Sequence, residues 1–295
     1  TLSVSYIGAA GRQLIRRTQL LGLPPIFSLS QVFVLRNDAS SDYQAMQVQF
    51  QRRLSRGLQA LASYNWSHSI DDASDEVIGS DRGRGSSDFD ARHAFSAALT
   101  YNIHCPSVNK TIRAIGANWA IDSIIHSQSA TPINLVGRVA QNINGVSTSA
   151  RPNLTAGLPL YIVDPNAPGG KRLNDAVDPS RPGCKGPFCP PPIGQQGTLG
   201  RNVLRAFSVN QIDFALRRRF SISEKLKLQF KGEAFNIFNH PNFGDPNNSL
   251  TSPLFGRATT MYGRGLGAGG ISGGFNPLYQ LGGARSIQLS LRLEY

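Results

Sequence analysis

The sequence predicts an all-β fold: an antiparallel transmembrane β-barrel portion of about eight strands, with short periplasmic turns and long outer loops. Three observations carry this prediction. Apolar and polar residues alternate with a period of two over segments of about ten residues, the signature of a strand wetted on one face. The connections between these segments alternate, short then long, without a break. The polar face is mainly Gln, Asn, Ser and Thr, which suits a water-filled lumen better than the charged solvent face of a soluble sheet.

The first strand is Leu2-Ser3-Val4-Ser5-Tyr6-Ile7-Gly8. Next, Met46, Val48 and Phe50 alternate with Gln47, Gln49 and Gln51. After Arg52 to Gly57, a short turn containing glycine, Leu58, Ala60, Ala62, Tyr64 and Trp66 alternate with Gln59, Ser63, Asn65 and Ser67, and Leu61 is the exception. Phe95, Ala97, Leu99, Tyr101 and Ile103 form the fourth apolar row, and Ile115, Ala117, Trp119 and Ile121 the fifth. Ile212, Phe214 and Leu216 alternate with Gln211, Asp213 and Arg217, and Leu226, Leu228 and Phe230 with Lys227, Gln229 and Lys231. The last strand sets Ile287, Leu289, Leu291, Leu293 and Tyr295 against Gln288, Ser290, Arg292 and Glu294. Short turns fall near 53–57, 104–111 and 221–225, and long connections near 9–42, 70–92, 128–206 and 239–285. With the short turns periplasmic, the last strand runs inward and ends at Tyr295.

This pattern assigns faces. Gln47, Gln49, Asp213, Lys231, Glu233 and Arg292 are expected to face the lumen. Trp66, Tyr101, Trp119 and Tyr295, with Tyr6 and Phe238, fall near strand ends, where aromatic rings line membrane interfaces. Stacking of Trp66, Trp119 or Tyr101 on a sugar is the alternative.

The chain has 295 residues, 40 % of them hydrophobic, and its 30 Gly and 18 Pro supply turns and loops. It contains no run of about 18 apolar residues, so a transmembrane helix is not expected. It starts at Thr1 directly with a strand-like segment, which suggests a piece of something longer. The net charge is +12, but the basic residues are scattered, with Arg217-Arg218-Arg219 the longest run. No recognition helix or zinc-ligand set accompanies them, so nucleic acid is not an expected partner, whereas lipopolysaccharide phosphates and outer-membrane lipid are. Cys184 and Cys189, five apart in a Pro/Gly-rich loop, make a possible disulfide, and Cys105 is left as a free thiol in a turn.

Several clusters invite a chemical reading. Asp71, Asp72, Asp75 and Glu76 carry oxygen ligands, but their spacing is not that of a calcium loop, and a solvated acidic loop is the expectation. Asp88, Asp90, Arg92 and His93 lack a partner nucleophile, so they are read as rim residues with an Asp–Arg ion pair. Gly263 to Gly270 lacks the strand and helix that a dinucleotide fingerprint needs, and reads as a flexible outer loop. His240, between Asn239 and Pro241, sits alone in a turn. No catalytic residue, metal site or cofactor is expected, and the chain is not read as an enzyme.

Longer stretches resemble a known family. Tyr43 to Ser74 resembles a late hairpin of the TonB-dependent outer-membrane receptors, of the Oar-like group. Asp88-Phe-Asp-Ala-Arg-His-Ala-Phe95 is similar to the entry to the next strand. Gly200-Arg-Asn-Val-Leu-Arg205, then Asp213, then Phe230 to Gly244 resemble the penultimate hairpin. Arg285 to Tyr295 resembles an assembly-signal strand ending in an aromatic, with Tyr where the family usually has Phe. The resemblance implies that residues 1–295 are the C-terminal portion of a receptor barrel of about 22 strands, whose plug and N-terminal region lie elsewhere. It implies outer-membrane location, energy from the TonB complex through the N-terminal part, and recognition of the last strand by the barrel-assembly machinery. The implied function is uptake of a bulky nutrient such as a siderophore or oligosaccharide. The alternatives are a self-contained eight-stranded barrel with a structural or adhesive role, and a soluble secreted carbohydrate-binding β-protein.

Overall fold

The computed structural model describes residues 1–20, 32–74, 77–78, 83–106, 109–141, 147–192, 195–265 and 282–295. Its frame is a meander of eight long antiparallel strands: β1 (Leu2–Leu20), β2 (Val32–Ser55), β3 (Leu58–Asp71), β4 (His93–Asn102), β5 (Trp119–Gln128), β6 (Val209–Ser221), β7 (Lys227–Phe235) and β8 (Ser286–Glu294). Each pairs with the next in chain order, and two short strands, Val77–Ile78 and Gly85–Ser86, add to the sheet beside β1 and β3. The sheet is not closed, because β1 and β8 do not pair with each other.

The alternating connections are present. Arg56 and Gly57 join β2 to β3 with positive φ angles of 52° and 81°, the conformation that a tight hairpin turn demands. A Cβ on Gly57 would stand 2.5 Å from the Asn102 carbonyl oxygen, so a larger residue is barred by space as well as by φ.

Three expectations need correction. The connection expected over 9–42 is mostly strand. β1 is 19 residues long and β2 is 24, and they pair up to Leu20↔Val32. About ten residues cross a bilayer, so the upper halves of both strands stand clear of it. There, alternating hydrophobicity has no lipid to answer to: exposed Ile15 and Leu35 are mixed with Arg, Gln and Asn without a period of two, and the hairpin is bulged near Gly11, Leu14 and Arg16. Second, the turn expected at 104–111 and the strand expected from Ile115 give way to a short helix, Lys110–Gly116. Asn109 caps it by accepting from the Thr111 amide at 2.9 Å. Ile115 also stands three residues after Ile112, a helical spacing that competes with the two-residue spacing to Ala117, and β5 starts only at Trp119.

Third, Asp71 and Asp72 are not a solvated acidic loop, being 8 % and 3 % exposed. They close β3. Asp71 accepts from the Ala73 and Ser74 amides, and Asp72 from the Ser40 amide at 2.6 Å. Asp75 and Glu76 lie outside the described residues, as does most of the glycine-rich segment after Gly265.

The long connection β5–β6, residues 129–208, folds into a unit of its own together with 236–262 from the β7–β8 connection. Short antiparallel pairs, such as Tyr161–Val163 with Lys171–Leu173 and Pro132–Ile133 with Leu204–Arg205, frame it. Its core joins Ile133, Leu135, Leu173, Phe188, Leu199 and Leu204 to Leu250 and Phe255. Phe188 and Phe255 meet edge to face, with ring centroids 5.8 Å apart. Cys184 and Cys189 form a disulfide in this unit, while Cys105 is free.

Candidate functional site: a polar wall under a latched cap

In an antiparallel pair, residues opposite each other share a face. The register therefore sorts the wall residue by residue. One face carries the row Tyr6, Met46, Trp66, His93 near its top, and Leu58, Tyr101, Ile121, Leu216 near its bottom. Phe230, Leu291 and Leu293 extend the same face to β8. Val4, Leu289 and Leu291 are 63 %, 70 % and 71 % exposed, which water would penalise and lipid would not. From Leu58, opposite Tyr101, to Trp66 is eight residues, about 27 Å along the strand and close to the height of an apolar band.

Trp66 and Tyr101 are exposed on this face, and Trp119 and Tyr295 follow its alternation at the short-turn end. Arg218 lies over the Trp119 ring at 5.2 Å and the Phe220 ring at 4.5 Å. Such stacking lets a guanidinium stay at the edge of an apolar band.

The opposite face is polar. Gln47 faces Asn65, Gln49 faces Ser63, Asp213 faces Ile124, Lys231 faces Arg217, Glu233 faces Gln288, and Arg292 faces Gln229. Register thus places all six lumen candidates on one side of the sheet. They are not equally free. Asp213 accepts from Gln211 and from the Asn236 amide, at 2.9 and 2.8 Å, and so ties the top of β6 to the top of β7. Lys231 pairs with Glu233 at 2.6 Å, and Arg217 with Asp122 at 2.8 Å. Gln47 and Gln49 are exposed.

Where the wall meets the cap, ion pairs form a latch. Arg201, 4 % exposed, reaches Asp71 at 2.9 Å and the Gly85 carbonyl at 3.0 Å. Asn202 donates to the Ser86 carbonyl and to Asp88, at 2.8 and 2.7 Å. Arg205 reaches Asp90 at 2.6 Å. Asp90 also pairs with Arg92 at 3.0 Å and His68 at 3.1 Å, and accepts from the Ser69 amide. Burial works to raise the Asp90 pKa, but the bonds from Arg205, the Ser69 amide and His68, with the charge of Arg92, hold it at about 2. Tyr161 completes the latch by bonding to both the amide and the carbonyl of Arg205.

Sequence reasoning reached the Asp–Arg pair but missed this docking of two distant motifs. The rim motif Asp88–Phe95 and the cap motif Gly200–Arg205 are partners in space. The available signal was compositional: two aspartates, Asp88 and Asp90, in one segment, and two arginines and an asparagine, without alternation, in the other. His240 follows the turn after β7. Its backbone, not its ring, is held by Asn236, whose φ of 51° turns the chain after β7. Among the described residues, no group of three or more His, Cys, Asp or Glu converges to hold a metal.

A family model described as an outer membrane beta barrel domain matches residues 1–269. No curated protein matches the chain. The lipid-suited face, the polar opposite face and the alternation of short and long connections are what that description requires, and the chain belongs to the outer membrane beta barrel domain family.

Proposed function

We propose that this chain is a wall-and-cap segment of an outer-membrane receptor that takes up a bulky nutrient. The observation that carries the reading is the coupling of wall and cap. A polar sheet face ends, at the long-loop side, in a folded unit fixed to the rim by Arg201, Asn202 and Arg205. A purely structural barrel has no need of a cap built around its own apolar core and anchored by buried carboxylates. Binding loops held on a rigid scaffold are the usual arrangement for capture.

In this reading the open edges at β1 and β8 pair with further strands of a larger barrel, since unpaired edges in lipid are costly. The resemblance to Oar-like TonB-dependent receptors gives the energy source: the TonB complex, acting through a plug supplied by the N-terminal part. The wall supplies a path and the cap first contact, and no residue here performs chemistry. Arginines at the loop side meet lipopolysaccharide phosphates, and β8 serves as the strand that the barrel-assembly machinery recognises.

The test is accumulation of labelled ferric siderophores and oligosaccharides by cells carrying the gene with its native upstream sequence. Uptake that stops when the proton gradient is collapsed is the expected result. Gradient-independent leakage, or a chain that alone forms a heat-modifiable, protease-resistant monomer in lipid, favours the self-contained barrel instead.

A further inference from the structure

The wall–cap junction contains a cleft of about 760 Å³ that opens beside the latch and the top of the polar wall, sharing Asp88 and Asn202 with the one and Gln128 with the other. Its lining comes from four parts of the chain: the rim loop at Asp88 and Phe89, the top of β5 at Gln128, the cap at Thr131 to Asn134, and the β7–β8 connection at Asp245, Asn248 and Tyr262. Its size is that of a small-ligand site, in the range of about 300–1,000 Å³.

Its chemistry differs from the rest of the molecule. The chain carries +12, yet among the described residues no Lys, Arg or His lines this cleft, and Asp88 and Asp245 do. Asp245 makes no ion pair among the described residues. Solvent reaches it, but the surrounding walls desolvate it enough to raise its pKa. Desolvation and the nearby Asp245 charge likewise raise the Tyr262 phenol. An anion would find no counter-charge here, so phosphate-rich and carboxylate-rich ligands are disfavoured.

The remaining groups are hydrogen-bonding and flat. Gln128 projects from the polar face of the wall, and Thr131 and Tyr262 add hydroxyls. Asn248 donates to the Asn134 carbonyl at 2.8 Å, which fixes its amide beside the cleft. Asn202, which also lines the cleft, fixes Asp88 at 2.7 Å. Phe89 is 90 % exposed, a large apolar side chain held at the lip of the cleft. Side-chain amides, hydroxyls and carboxylates both donate to and accept from sugar hydroxyls, and an exposed ring stacks on the apolar face of a pyranose.

We infer that this cleft binds a neutral oligosaccharide, with Phe89 as the stacking platform and Asp88, Gln128, Asp245 and Asn248 as hydroxyl partners. The inference rests on the receptor reading and names its ligand class. Its position, bounded below by Gln128 of the wall and above by the cap, puts the captured sugar at the entry to the polar face.

The experiment uses the full chain with its native upstream sequence, refolded in detergent and shown to be heat-modifiable. Calorimetry and Trp fluorescence are read against maltohexaose, cellohexaose, xylohexaose and mannohexaose, with tetragalacturonate as the anionic control. At least one neutral hexasaccharide is expected to bind with a Kd below about 1 mM, and tetragalacturonate is not. Phe89→Ala and Asp245→Asn should each weaken that binding about tenfold or more, whereas Gln49→Ala, on the wall below, should leave it within twofold. Absence of binding by all four neutral sugars to a folded barrel overturns the inference, and so does binding unchanged by both cleft variants. Either result leaves the barrel itself intact. Loss of heat-modifiability would instead count against the barrel reading.

Discussion

The wall and the cap solve the burial problem in opposite ways. The wall has no apolar core: its large side chains, such as Leu289 and Leu291, point outward and stay exposed, and its other face is polar. The cap is built like a small soluble domain, with Leu173, Phe188 and Phe255 at 0–1 % exposure, and it buries the charged side chains of Arg151 and Arg201 as well. The wall depends on lipid as its solvent, and the cap on water. One chain crosses between these regimes at the rim, where neither apolar packing nor a continuous ladder is available. Buried ion pairs do the joining.

The comparison can be broken from either side. The largest effect is expected in the cap. Phe188→Ala removes a fully buried ring and should cost about 3–5 kcal/mol of cap stability. Thermolysin should then cut within 129–208, while heat-modifiability of the wall persists. On the wall, Ala97→Arg, midway between Tyr101 and His93, puts a charge at the middle of the apolar face and should cost about 2–4 kcal/mol of stability in lipid. Gln49→Arg, on the polar face, should change it by about 0.5 kcal/mol or less. Equal effects from the two would contradict the assignment of faces. Urea titration in bilayers measures both.

The junction comes next. Asp90→Asn leaves Arg205 and Arg92 without their carboxylate, and should weaken cap docking by about 2–3 kcal/mol, reduced because both arginines reach solvent. The readout is faster proteolysis on both flanks of Gly200–Arg205 with the cap core still protected. The disulfide closes a loop of only a few residues, so Cys184→Ser should cost about 2 kcal/mol, read as a lower Tm of the cap alone.

The smallest effect is that of pH. The folded pKa of Asp90, about 2, lies below the ordinary carboxylate value of about 3.9. Its contribution is therefore complete above about pH 4 and is lost as pH falls toward 2. Proteolysis of the cap flanks should be flat from pH 8 to 5 and rise only below about 4, with an acid-stable protease such as pepsin covering the low range.

The sequence disclosed the wall far better than the cap, for a physical reason. Within the bilayer each strand residue must suit lipid or lumen, so Met46-Gln47-Val48-Gln49-Phe50 spells out its own register. Above the bilayer that constraint lapses. The upper parts of β1 and β2, held by pairs such as Arg16 with Asp38 at 2.6 Å, therefore looked like loop. In the cap, Leu173, Phe188 and Phe255 come together from segments far apart, through pairs only two or three strand residues long. No local periodicity announces such a core. The latch was half legible: Asp90 and Arg92 lie in one motif, but Arg205 enters from more than a hundred residues away. The cleft was invisible, because its groups come from four separate stretches, none of them patterned.

The most direct test is alternating accessibility along β2. In a Cys105→Ser background, single cysteines at 46–50 are labelled in intact outer membranes with a water-soluble, membrane-impermeant maleimide. Labelling at Gln47 and Gln49 with protection at Met46, Val48 and Phe50 is the predicted result. Uniform labelling at all five positions, or a chain that stays soluble without detergent, would contradict a lipid-facing wall around a polar lumen.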